Sequence, residues 1–108
     1  MKTLLLVLLL VLLPTPAVAN PQLAFACAQN AHVAYVWAEK LRPKYTKEAA
    51  AKLLLEPLAD ADPKDPNVVC TLKGIELVWG VPHKTPEVVA QEFEAWCLQH
   101  FGALLKAE

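Results

Sequence analysis

The sequence predicts an all-α fold, with about four short amphipathic helices in a small bundle that a disulfide holds together. Three observations predict it. Apolar residues recur at steps of three and four positions, residues that favour helix starts precede each such segment, and prolines divide the chain into four pieces after the N-terminal leader. We expect connections of only a few residues between these pieces, as in antiparallel bundles.

The leader, residues 1–19, has the features of a cleavable export signal. Lys2 gives a positive start, Leu4–Leu13 is an apolar run of ten residues, and residues 17–19 give the small-x-small pattern of a cleavage site. The run is too short to cross a bilayer, which needs roughly 20 apolar residues. We therefore expect a signal peptide at 1–19, a single helical domain at 20–108, and export to the periplasm or, alternatively, to the medium.

Composition excludes several functional classes for the exported part of the chain. Loss of the leader removes one lysine and leaves nine basic and eleven acidic residues, so no basic surface is expected to bind nucleic acid. No second apolar run approaches a membrane span, and we expect no stable membrane insertion after cleavage.

The first helix is predicted over Pro21–Leu41. Asn20 can cap it, Pro21 suits its first turn, and Pro43 should end it. Its core face is predicted to contain Leu23, Cys27, Ala31, Ala34, Trp37 and Leu41.

The second helix is predicted from Thr46 to about Glu56, with Thr46 as its cap and Pro57 as its limit. Its inward face should hold Ala49, Ala50, Leu53 and Leu54.

The third helix is predicted to begin at Asp65-Pro66 and to end at Gly80 in a left-handed cap. Its core face is expected at Val68, Leu72, Ile75 and Trp79. Gly74 weakens a helix by about 1 kcal/mol relative to alanine, which indicates a close packing contact. The runs of valine, leucine and tryptophan here would also suit a strand.

The fourth helix is predicted to start at Thr85-Pro86-Glu87 and to bend or end near Gly102. One face should carry Val89, Phe93, Trp96, Cys97, His100 and Leu104.

Three cysteines enter an oxidising compartment if the leader is an export signal. Cys27 and Cys97 lie on the core faces of the first and last helices, and antiparallel packing would bring them to the same end of the bundle. We therefore predict a Cys27–Cys97 disulfide, although loop length separates the three pairings by less than about 1 kcal/mol. Cys70 is expected about 160° from the core face as a free thiol, either packed in a secondary contact or forming a disulfide-linked dimer.

Few residues suggest catalysis or a cofactor. Cys97 and His100 lie one turn apart and are candidate metal or nucleophile residues, but further ligands are lacking. The chain has no serine, no CxxC pair and only three glycines, so we expect no enzyme and no cofactor. Tyr35, Tyr45 and Trp79 are candidates for a binding surface, because tyrosine and tryptophan dominate interface hot spots.

The layout of leader, Cys27, Thr85-Pro86-Glu87, Phe93 and Cys97 loosely resembles small exported proteobacterial helical proteins that have no assigned activity. Similar size and architecture occur in periplasmic immunity proteins and acid-induced periplasmic chaperones, and both functions remain alternatives. Our leading expectation is a non-enzymatic exported module that binds a protein partner or supports the envelope. A small redox or metal protein that uses Cys27, Cys97 and His100 is the rival class.

Overall fold

Four α-helices make up most of the described part of the chain, which confirms the all-α prediction. The structure is a computed structural model that describes residues 20–81 and 83–107. The helices are α1 (Pro21–Val36), α2 (Lys47–Leu55), α3 (Pro66–Gly80) and α4 (Pro86–Ala107), with a π-helical turn at Trp37–Leu41 and a 3-10 turn at Glu56–Leu58. The predicted signal peptide, residues 1–19, lies outside the described residues.

The helix starts lie where the capping residues predict them. The side chains of Asn20, Thr46 and Asp65 each accept a hydrogen bond from a backbone N–H two or three residues later, at 3.0, 3.2 and 2.8 Å. Thr85 Oγ1 does the same for α4 at 3.3 Å. Each cap satisfies one of the N–H groups that a helix start leaves without an intrahelical partner.

The first helix changes geometry before it ends. Pro43 has no N–H to continue the regular ladder, and its ring would clash with the carbonyl four residues earlier. The last turn is instead closed by a bond of 2.8 Å from the N–H of Arg42 to the carbonyl of Trp37, five residues back. The predicted segment Pro21–Leu41 is thus an α-helix followed by one wider turn.

Helices α1 and α4 form the largest helix–helix contact, and they run antiparallel. Pairs of facing residues show the direction, because they run in opposite order along the two helices: Leu23 faces Gly102, Cys27 is bonded to Cys97, and Tyr35 faces Glu87.

The main core lies where α1 and α4 meet, with α3 covering one side. It contains Cys27, Ala31, Ala34 and Ala38 from the first segment, Val78 from α3, and Val89, Phe93 and Cys97 from α4. The small side chains on α1 let the two backbones approach closely, so the larger Phe93 fills the interface from the opposite helix.

The predicted inward face of α2 is only partly correct. Ala50 is buried, whereas Ala49 is exposed and Leu53 is 51% exposed. The reason is that α2 packs chiefly on α3, so this short helix buries only a narrow stripe.

The predicted core face of α3 is wrong in part. Val68 and Ile75 are buried as expected, but Leu72 is 49% exposed and Trp79 is only partly buried. Gly74, which is not on the predicted face, is also buried. The face is set by contact with Trp37, whose ring occupies the space that a side chain on Gly74 would need.

The end of α3 also differs from the prediction. Gly80 has no left-handed conformation and belongs to the helix, and Val81 follows in extended geometry with φ −129° and ψ 101°. Val81 precedes a proline, and this position disfavours helical backbone. Helix α4 passes through Gly102 and continues to Ala107. Within the described ranges, no helix has both the length and the apolarity needed to cross a membrane.

Candidate binding surfaces

The Cys27–Cys97 disulfide joins α1 to α4, as predicted. The two Cα atoms are 5.6 Å apart, and the bond closes a loop of 70 residues. Both cysteines are fully or almost fully buried in the main core. Because Cys97 is part of this bond, its sulfur is not a thiolate available to a metal or a substrate in this state.

Cys70 is the free cysteine, and its position differs from the predicted one. It is half-buried and packs against the main core instead of lying off the core face. Its helix turns Gly74 toward Trp37, which brings the neighbouring Cys70 inward and leaves Leu72 outside. Burial raises the pKa of the Cys70 thiol, because the charged thiolate would lose solvation.

His100 lies beside aromatic rings rather than beside other metal-binding groups. Its ring stacks on Trp96 at a centroid distance of 5.0 Å and meets the edge of Phe101 at 4.8 Å. In residues 20–81 and 83–107 no three histidine, cysteine, aspartate or glutamate side chains are grouped closely enough to hold a metal ion.

Tyr45 and Trp79, two predicted binding candidates, lie together. The indole Nε1 of Trp79 donates a hydrogen bond of 3.0 Å to the backbone oxygen of Tyr45. This bond joins the loop before α2 to the end of α3, so the tryptophan has a structural role there.

Tyr35, the third candidate, lies apart from that pair and faces α4. Its hydroxyl donates to Glu87 Oε1 at 3.4 Å, and it stacks on His32 with a centroid distance of 6.2 Å. The carboxylates of Glu87 and, to a lesser extent, Glu39 raise the pKa of Tyr35, because a phenolate would be repelled by both. The structure therefore does not bring the three aromatic candidates into one surface.

Sequence reasoning missed Arg42, which connects three parts of the fold. Its Nη1 donates to the carbonyl of Val78 at 3.2 Å, and its Nη2 donates to the carbonyl of Lys84 at 2.8 Å. The guanidinium thereby satisfies carbonyls at the end of α3 and in the following loop. The only sequence signal was a lone arginine beside a proline, which does not specify partners 36 and 42 residues away.

The solvent-facing side of α1 is a second feature that the sequence patterns did not single out. No aspartate, glutamate, lysine or arginine occurs between Asn20 and Ala38. At about 100° per residue, one side of this helix lies opposite the core stripe. We call it the outer face of α1, and it consists of Phe25, Ala28, Gln29, His32, Val33 and Val36, all of which are exposed.

A cleft opens at the end of the bundle where α1 starts, and we call it the terminal cleft. Its volume is about 280 Å³. The residues that define it come from three helices: Leu23 and Asn30 of α1, Pro66 and Cys70 of α3, and Phe101 and Leu104 of α4. The start of α3 packs less closely on α1 than α4 does, which leaves this space between them.

Comparison of the chain with models of protein families, with curated protein sequences and with solved structures finds no match.

Proposed function

We propose that this chain is an exported, non-enzymatic helical module that binds a protein partner through the outer face of α1. The observation that carries the proposal is the combination of apolar exposure and missing charge on that face. Phe25 is 57% exposed and Val33 is 41% exposed, and both lie on one side of a helix that has no charged residue. Single exposed apolar residues are normal, whereas several on one uncharged face are typical of interaction sites.

The disulfide supports this use of α1. Helix α1 has 16 residues and little amphipathic character. Contact between its outer side and water therefore contributes little to the stability of the helix. The Cys27–Cys97 bond fixes the helix to α4 and presents the outer face on a rigid support. A rigid surface loses less conformational entropy when it binds, which favours affinity.

The partner that fits this face is a protein segment with an uncharged, apolar surface, such as one side of an amphipathic helix. A charged partner surface would lose solvation against Phe25 and Val33 without gaining an ion pair. Export, expected from the leader, would place that partner in the periplasm or in the medium.

Site-specific photo-cross-linking in an exporting host tests the proposal. A photoreactive phenylalanine analogue at the position of Phe25 should give an adduct with one partner protein, and Val33→Lys should abolish the adduct. The matched control carries the same analogue at the position of Leu53, which is 51% exposed on α2. Surface substitutions such as these should change stability by no more than about 0.5 kcal/mol, which a thermal melt verifies.

Three outcomes would overturn the proposal. They are an absence of any adduct from the Phe25 position, the same adducts from the Phe25 and Leu53 positions, and an adduct that contains only two copies of this chain.

A further inference from the structure

We propose that the terminal cleft is a binding site for one uncharged aliphatic chain that carries a hydroxyl or amide N–H group near Asn30. The cleft shares no residue with the outer face of α1, although Asn30 borders both.

The dimensions of the cleft select a slender ligand. Leu23 and Asn30 are the first and last residues of α1 that line the cleft, and seven residues of helix rise about 10 Å. The volume of the cleft is about 280 Å³. A helix with its side chains is about 10–12 Å wide and does not fit. For comparison, an engineered apolar cavity of about 150 Å³ in another protein binds benzene.

The side chains of the cleft select an uncharged ligand. Leucine, phenylalanine, proline, alanine and cysteine side chains form almost all of its wall, and among the residues that the structure describes no charged side chain lines it. A charged group inside would lose its hydration without a compensating partner. The cleft is therefore complementary to a neutral hydrocarbon chain.

Among the described residues of its wall, Asn30 gives the cleft its one side-chain amide. Its Nδ2 donates a hydrogen bond of 2.9 Å to the carbonyl of Ala26, which fixes the amide orientation. Among the described residues, Asn30 Oδ1 accepts no hydrogen bond, so it is free to accept one from a ligand. This favours an alcohol or an amide N–H over an ether or a carboxylate at that end of the chain.

A series of straight-chain primary alcohols from hexanol to decanol tests the site in the full exported chain by calorimetry. Each methylene that enters the cleft should lower Kd about fourfold, which corresponds to about 0.8 kcal/mol per buried methylene. An extended chain advances about 1.25 Å per carbon, so the gain should stop near eight carbons, where the chain fills about 10 Å. A gain that continues without a plateau through decanol would indicate general partitioning and would overturn the proposal.

Two variants separate the cleft from the rest of the surface. Ala26 also lines the cleft. Ala26→Leu introduces a larger apolar side chain there and should weaken octanol binding at least tenfold. Leu53→Lys, on a helix that does not line the cleft, should leave binding unchanged. Equal binding by the Ala26→Leu variant and the unmodified chain would refute the assignment.

Cys70 gives a second readout at the site itself. Octanol in the cleft should slow alkylation of Cys70 by iodoacetamide in a saturable way, with the same midpoint as the calorimetric Kd. Alkylation that is insensitive to octanol would overturn the proposal. Capture of the chain by phosphatidylcholine vesicles without any binding of free octanol would also overturn it, because the site is proposed for a free molecule.

Discussion

Gly74 is the position where a single methyl group tests the packing of α3 against the first helix. An ideal Cβ built on Gly74 would lie 2.8 Å from Cζ3 and 3.3 Å from Cε3 of Trp37. Carbon atoms in ordinary contact are about 3.5–4.0 Å apart, so alanine at this position must push the indole ring or the helix away. Gly74→Ala should therefore destabilise the fold.

Two opposing effects set the magnitude. Alanine in place of glycine in a helix interior gains about 1 kcal/mol from helix propensity. Overpacking of a well-packed contact costs about 1–3 kcal/mol. The net loss for Gly74→Ala is expected at about 1 kcal/mol, or a melting temperature lower by about 4–8 °C for a domain of this size.

Gly80→Ala is the matched control, because it makes the same chemical change in the same helix. No atom lies within 4 Å of a Cβ built on Gly80, and its φ is not positive. This variant should gain up to about 1 kcal/mol, somewhat less at a helix end. The free energies of unfolding of the two variants should then differ by about 2 kcal/mol, in opposite directions from the parent chain.

Urea unfolding followed by far-UV circular dichroism and by tryptophan emission measures both variants. In a Trp37→Leu background, Gly74→Ala should lose its penalty, since the flexible leucine yields to the new methyl group. The reasoning fails if Gly74→Ala is as stable as Gly80→Ala, or if the cost of Gly74→Ala is unchanged when Trp37 is absent.

Three further predictions concern the disulfide, Arg42 and the free thiol. Replacing both Cys27 and Cys97 by alanine should lower the free energy of unfolding by about 2–4 kcal/mol, because the disulfide closes a 70-residue loop. Thermal melts with and without reductant measure the contribution of the disulfide. Equal melting temperatures would contradict the prediction. Arg42→Met should cost about 1.5–3 kcal/mol in urea unfolding because two backbone carbonyls lose a charged donor, and Arg42→Lys should recover only part of that. The midpoint of the pH profile of Cys70 alkylation should lie at higher pH in the folded chain than in the urea-unfolded chain, because burial raises the pKa of the Cys70 thiol. Because the pKa is higher in the folded chain, the stability that Cys70 contributes is present below the pKa of the unfolded chain and is lost as the pH rises through the pKa of the folded chain. Coincident alkylation profiles would refute both statements.

The helix starts were predictable because capping is local. Asn20, Thr46, Asp65 and Thr85 each bond to a backbone N–H no more than three residues away, so the short sequence segment contains both partners. The disulfide was predictable for a related reason. Two cysteines on the core faces of helices that must pack antiparallel come to the same level of the bundle, whatever the detail of the packing.

The face that α3 buries was not predictable from its own residues. Its apolar side chains occur on several sides, and the hydropathy pattern alone favoured the side with Leu72. The contact between Gly74 and Trp37 decides which side of α3 is buried, and these two residues lie 37 positions apart in the chain. The terminal cleft, which Cys70 lines, also depends on which side of α3 faces inward. The sequence pattern alone therefore does not predict it.

The sequence by itself determined where the described helices begin and that the fold is all-α, and it favoured the Cys27–Cys97 pairing. These properties depend on hydrogen bonds within one turn and on the periodicity of apolar residues. Only the tertiary structure decided which side of α3 faces inward and where Arg42 donates its hydrogen bonds. Those properties depend on steric fit between segments far apart in the chain, and a single side chain such as Trp37 can change that fit without altering any local pattern.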